Sequence, residues 1–134
     1  MRLARLTALL AGVMPGLAQA VQPGDLSPQP LQEGTLESLR WQARPVVILG
    51  EGAEVEAQIG ALMAEAGALR ERDVVLLTDG PGAAPLRERA GEGFIVMLIG
   101  KDGGVKLTQN SMIDPTEIVS LIDTMPMRQQ EARD

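Results

Sequence analysis

The sequence predicts an α/β domain: a mixed sheet of about four strands with helices on both faces. Three observations carry this. Val46-Val47-Ile48-Leu49 and Val74-Val75-Leu76-Leu77 are apolar at every position, as strands are when both faces are covered. The stretch between them, 53–72, repeats apolar residues at helical spacing, so strand, helix and strand form a right-handed crossover. A third apolar run, 94–99, is followed by Lys101-Asp102-Gly103-Gly104 and an alternating segment, 105–108, the pattern of a β-hairpin closed by an Asp-Gly turn.

Taken in order, the chain opens with Arg2 and Arg5 ahead of an apolar run, 6–14. That run falls short of the roughly 20 residues that span a bilayer. Pro15-Gly16 breaks it, and Ala18-Gln19-Ala20 supplies a small-x-small cleavage pattern. Residues 1–20 are therefore expected to be an export signal cut after Ala20, with the product periplasmic or secreted. A flexible, proline-rich leader is expected over 21–35, from Pro23, Pro28, Pro30, Gly24 and Gly34. The folded domain is expected over 36–127.

Within the domain, Arg44-Pro45 disfavours helix before the proline and starts the first strand. The helix over 53–72 buries Val55, Ile59, Leu62, Met63, Ala66 and Leu69. Glu54 and Glu56 stand in its first turn and Arg70 and Arg72 in its last, each sign where the helix dipole favours it. After the second strand, 73–78, Asp79-Gly80-Pro81-Gly82 turns into a short helix, 85–90. Asp114-Pro115-Thr116-Glu117 reads as a capped helix start, with Glu117 reaching back in a capping box. Ile118, Leu121, Ile122 and Met125 form that helix's buried stripe. Pro126 stops it, and 128–134 is expected to be a polar tail.

Composition narrows the chemistry. The chain has no cysteine and no histidine, and its net charge is −6. Removing residues 1–20 takes away Arg2 and Arg5 and no acid, leaving 10 basic against 18 acidic residues and a charge of −8 over 114 residues. That length suits one domain, with core enough to fold without disulfides. The acidity argues against a nucleic-acid partner and against electrostatic binding to a membrane surface. With no cysteine, a lipoprotein anchor and thiol–disulfide exchange are unavailable to it, and with no histidine as well, so are ordinary zinc sites. No membrane anchor and no cofactor are expected.

The element order, βαβ followed by a hairpin and a helix (βαβ-ββα), is that of a minimal thioredoxin-like sandwich. Residues 73–126 resemble the latter half of thioredoxins in element order, in the Pro81-Gly82-x-x-Pro85 connection and in the Lys101-Asp102-Gly103-Gly104 hairpin. Where thioredoxins place Cys-x-x-Cys this chain has Gly50-Glu51-Gly52-Ala53-Glu54-Val55-Glu56, and where they place a cis-proline it has Glu92-Gly93-Phe94. Four separated blocks look like the marks of domain of unknown function family 4174. They are Arg40-Trp41-x-x-Arg44-Pro45, Arg72-Asp73-Val74-Val75, Gly100 through Lys106, and Ile122-Asp123-x-Met125-Pro126-Met127-Arg128. The resemblance spans about 36–131. It implies a thioredoxin-like fold and an exported location, and similar domains occur in secreted animal matrix proteins such as equarin and the sushi-repeat proteins. It implies no particular activity.

The candidate site residues are Trp41, Arg44, Lys101, Asp102 and Arg128, read together as a surface for a protein or small-molecule partner. Arginine suits bidentate recognition of carboxylates, and tryptophan is a common binding anchor. Each has a structural reading too. A lone Trp is usually core, here packed under the sheet edge with an arginine over its ring. Asp102 serves a tight turn, and Lys106 protects a sheet edge. Asp123 could pair with an arginine and fix the chain exit. Met112, Met125 and Met127 offer thioethers to Cu(I), though methionine is more often gap filler. Glu51, Glu54, Glu56 and Asp79 are expected near the C-terminal strand ends, where α/β sheets bind ligands. They are the basis of the alternative, a carboxylate- or divalent-cation-dependent enzyme. The favoured expectation is a non-redox binding or adaptor module.

Overall fold

The computed structural model describes Val21, Gly24 and residues 26–134; the expected export signal lies outside the described residues. The elements are β1 (Gln29–Pro30), α1 (Thr35–Leu39), β2 (Arg44–Leu49), α2 (Ala53–Met63), α3 (Ala66–Glu71), β3 (Val74–Thr78), α4 (Ala84–Ala90), β4 (Ile95–Ile99), β5 (Val105–Gln109), α5 (Pro115–Asp123) and α6 (Pro126–Arg133). A 3₁₀ turn, Pro81–Ala83, leads into α4.

The strands form one mixed sheet in the order β1-β3-β2-β4-β5. β2 and β3 run parallel with Arg44 opposite Val74 and Val47 opposite Leu77. β4 runs antiparallel to β2, with Val46 opposite Leu98, and β5 antiparallel to β4. Alternate strand residues feed two cores. On one face Val46, Ile48, Val74, Leu76, Val96 and Leu98 meet Val55, Leu62, Leu69, Ile118 and Ile122 of α2, α3 and α5. On the other, Val47, Leu49, Val75, Leu77, Ile95, Met97 and Ile99 meet Leu39 and Leu86 of α1 and α4. The mixed α/β architecture with helices on both faces is as expected.

Four expectations need correction. The sheet has five strands rather than about four, because the supposed leader supplies one. Gln29 and Pro30 pair with Leu77 and Thr78, and Leu31 N–H donates to Thr78 O at 2.9 Å. Pro30 is tolerated since an edge strand needs no ladder donor on its outer side. Leu26 and Leu31 are buried, one in each core. The segment is pressed close: Gly82 N–H donates to Leu31 O at 2.8 Å, and a Cβ on Gly82 would stand 2.3 Å from Gln32 O.

The helix over 53–72 is two helices. Glu65 at φ −112°, ψ 30° breaks it, yet Leu62 and Leu69 enter the same core, so the apolar period runs straight through the break. The tail over 128–134 is largely helical, as α6. Pro126 ends α5's run and takes the first turn of α6, where its missing N–H costs nothing. Finally, Asp114 caps α5 through Thr116 N–H at 2.9 Å, and Thr116 Oγ1 also donates to it at 2.8 Å; the reciprocal side-chain bond expected from Glu117 is not formed.

Candidate functional site

Arg44 opens β2 and is 1% exposed. A guanidinium taken out of water needs partners for its charge and its donors. Nη1 donates to Arg72 O at 2.9 Å, and Nη1 and Nη2 grip the two oxygens of Glu131, each at 3.1 Å. Glu131 Oε2 also accepts from Lys101 Nζ at 2.8 Å, and Lys101 Nζ donates to Asp73 Oδ2, again at 2.8 Å. Two cations and two acids from β2, α6 and the loops before β3 and after β4 thus close into one cluster. Burial alone would raise the Glu131 carboxyl, but the bonds from Arg44 and then Lys101 outweigh it and hold the group below the usual glutamate value.

A second set ties α3, α5 and α6 together. Arg72 grips Asp123 at 2.9 and 3.1 Å. Arg128 reaches Glu71 at 2.7 Å and Asp123 at 3.4 Å. The hydrogen bond from Arg72 is the leading reason the Asp123 carboxyl sits low, and the bond to Glu71 the leading reason the Arg128 guanidinium sits high. Asp123 thus pairs with arginines at the chain exit, as the sequence suggested it could.

Above the Arg44 cluster lies a pocket of about 290 Å³, lined by Trp41, Arg44, Gly100, Lys101, Asp102, Lys106, Met125, Pro126 and Met127. The hairpin supplies one wall. Gly103 takes φ +87°, the positive value a tight turn needs, and Asp102 accepts from Gly104 N–H at 2.8 Å and Lys106 Nζ at 3.0 Å. Those two bonds, the first the larger, depress its carboxyl. The end of α5 and start of α6 supply the Met125-Pro126-Met127 wall.

Trp41 supplies the rim. It is 58% exposed, so the core reading of the lone Trp is corrected. It follows α1 at φ 69°, in the left-handed position that usually falls to glycine after a helix. Its N–H donates to Lys101 O at 2.6 Å, and the Arg40 guanidinium lies 5.3 Å from its ring centroid, within cation–π range.

The structure therefore brings Trp41, Arg44, Lys101 and Asp102 to one pocket. Arg128 does not line it; the side chain is buried against Glu71 and Asp123. Arg44 and Lys101 are tied into the ion-pair cluster rather than standing free. Of the three methionines, Met125 and Met127 line the pocket and Met112 does not. Sequence reasoning missed Glu131 and Asp73: Glu131 lies 87 positions from Arg44 in a stretch whose polarity resembles that of any solvated tail.

The acidic residues at the opposite sheet end do not gather. Asp79 accepts from Gly50 N–H at 2.9 Å and Arg87 at 2.8 Å. Burial works to raise its carboxyl, and the Arg87 and Gly50 bonds together bring it below the usual aspartate value. Glu51, Glu54 and Glu56 are exposed. Among the described residues no three His, Cys, Asp or Glu side chains are grouped to hold a metal ion, and no helix is long and apolar enough to cross a membrane.

No curated protein matches the chain. The blocks that resemble a known family span about 36–131, and the stretch shared with that family's model is narrower. Residues 83–131, from the turn before α4 into α6, match the model of the family described as Domain of unknown function (DUF4174).

Proposed function

We propose that this chain is an exported, non-redox binding module on a thioredoxin-like scaffold, and that it takes its partner at the Trp41 pocket. The parallel β2–β3 pair with its helical crossover, the antiparallel β4–β5 hairpin and α5 after it support the scaffold reading. The charge, length and Ala18-Gln19-Ala20 pattern of residues 1–20 support export. With no cysteine in the chain, it has no thiol to exchange.

One observation carries the binding reading. A large aromatic is held exposed, in a left-handed backbone that costs an L-residue about 1–2 kcal/mol, at the mouth of a pocket. Strain without burial is what stability alone would remove, and it collects where a side chain is needed in one place.

The test is a thermal-shift screen of small molecules and short peptides against wild type, Trp41→Ala and Trp41→Gly. A ligand at about 100 times its Kd adds roughly 2.7 kcal/mol to stability. Compounds that raise the wild-type Tm should leave both variants unmoved, while Trp41→Gly, relieved of its backbone strain, folds at least as stably as wild type. Ligands that shift all three proteins equally would remove Trp41 from the site.

A further inference from the structure

We propose that the Trp41 pocket takes a small aromatic carboxylate, its ring against Trp41 and the methionines and its carboxylate on the Lys106 ammonium. This rests on the binding reading above and names its ligand class.

Counted by the residues that line it, the pocket wall holds more cations than acids, against the sign of the molecule as a whole. The chain carries −6, yet the wall presents Arg44, Lys101 and Lys106 against one acid, Asp102. The acids that balance Arg44 and Lys101, Glu131 and Asp73, grip them without joining the wall. An anion entering here meets cations first, in a pocket whose apolar sides weaken screening by solvent.

The unused hydrogen-bonding capacity has the same sense. An ammonium carries three donors. Lys106 Nζ uses one of them, on Asp102, and Lys101 Nζ uses two, on Asp73 and Glu131. Several acceptors of the wall already hold a partner. Both Asp102 oxygens accept, one from Gly104 N–H and one from Lys106; Gly100 O accepts from Gly103 N–H and Lys101 O from Trp41 N–H. The spare donors on Lys106 suit a ligand that brings acceptors, and a carboxylate brings two with a charge that strengthens each bond.

The rest of the wall is apolar and soft: the Trp41 ring, Met125, Pro126 and Met127. Offset stacking on indole and thioether–aromatic contacts favour a flat aromatic body. A volume of about 290 Å³ falls just under the roughly 300 to 1,000 Å³ of ligand sites, which suits a small body.

Trp41 is the chain's only tryptophan, so its fluorescence reports the pocket directly. The full protein is titrated with phenylacetate, its neutral isostere phenylacetamide, and phenethylamine. Phenylacetate should change the emission saturably and bind about tenfold tighter than the amide, a difference of about 1.4 kcal/mol. That preference should shrink with added salt, and phenethylamine should be the weakest of the three. Lys106→Met should abolish the preference while keeping the wild-type Tm, since Lys106 is a partly exposed edge residue.

Equal binding of acid and amide, tightest binding of the amine, or a preference that survives Lys106→Met would each overturn the carboxylate assignment and leave the pocket itself standing. Failure of all three ligands, with Trp41-dependent shifts by other compounds in the thermal screen, would overturn the ligand class alone. Failure in both assays would overturn the class and the binding reading together.

Discussion

Replacing Glu131 by glutamine tests whether the buried ion-pair cluster holds α6 on the sheet. The amide conserves shape but removes the charge that balances Arg44 and half of that which balances Lys101. It also turns one acceptor into a donor. If the NH₂ takes the Oε2 position it faces both Arg44 Nη2 and Lys101 Nζ, which now donate there. At the Oε1 position it faces only Arg44 Nη1, which keeps Arg72 O. The second orientation is the cheaper and still leaves a guanidinium 1% exposed without its counter-charge.

Removing one partner of a buried pair costs about 3–5 kcal/mol. Glu131 is itself 26% exposed, so water relieves part of the loss, and the lower end, about 3 kcal/mol, is expected. For a domain of this size that is a fall in Tm of roughly 10–12 °C. Thermal and urea unfolding would measure it. Glu71→Gln is the control, because Glu71 is 65% exposed and Arg128 keeps Asp123; it should cost less than about 1 kcal/mol. Arg44→Met with Glu131→Leu should recover most of the lost stability by leaving no unbalanced charge at that site. The reasoning fails if Glu131→Gln costs no more than Glu71→Gln.

Gly82→Ala drives a Cβ into Gln32 O and should cost about 1–3 kcal/mol, with amide exchange accelerated at Leu31; unchanged exchange there would mean that β1 is not pinned from this side. Gln58 is fully buried and answers both backbone groups of Ile113, at 3.1 and 2.8 Å. Gln58→Leu strands that pair at about 1–3 kcal/mol per group, read as a lower urea midpoint, and a midpoint equal to wild type would refute it. The depressed carboxyls of Glu131, Asp123 and Asp79 contribute stability that is present above their unfolded values. That stability drains away as pH falls through the lower folded ones. Tm should therefore drop below the ordinary carboxylate range and, with no histidine in the chain, stay level from about pH 6 to 8. A marked Tm change between pH 6 and 8 would contradict this.

The fold was readable where burial dictates residue type. β2, β3 and β4 are apolar at nearly every position because both their faces are covered, and the hairpin turn needs the positive φ that Asp102-Gly103 supplies. β1 was not readable: two residues with a proline carry no period, and their pairing depends on Gly82 fitting against the backbone at Gln32. The break at Glu65 leaves Leu62 and Leu69 on one stripe, so no change of period marks it. α6 buries Arg128 in place of an apolar stripe, and charge reads the same in a docked helix as in a solvated tail. At the site, Trp41 and the hairpin residues stood out by type. Their convergence with Met125 and Met127 depends on how α5 hands over to α6, which local patterns do not encode.

The apolar strands leave a problem that the chain ends of the sheet solve. A strand with one wet face resists sliding, because a shift of one residue would put its greasy side in water. β2 and β3 are greasy on both sides, so such a slip would bury nearly as much as the correct alignment. What fixes the alignment is polar and sits at the tips: Arg44 held by Arg72 O and Glu131 at one end, and Gly50 N–H held by Asp79 at the other. These bonds work as keys at either end of an unmarked zipper, and a chain stripped of them would have several nearly equivalent ways to close.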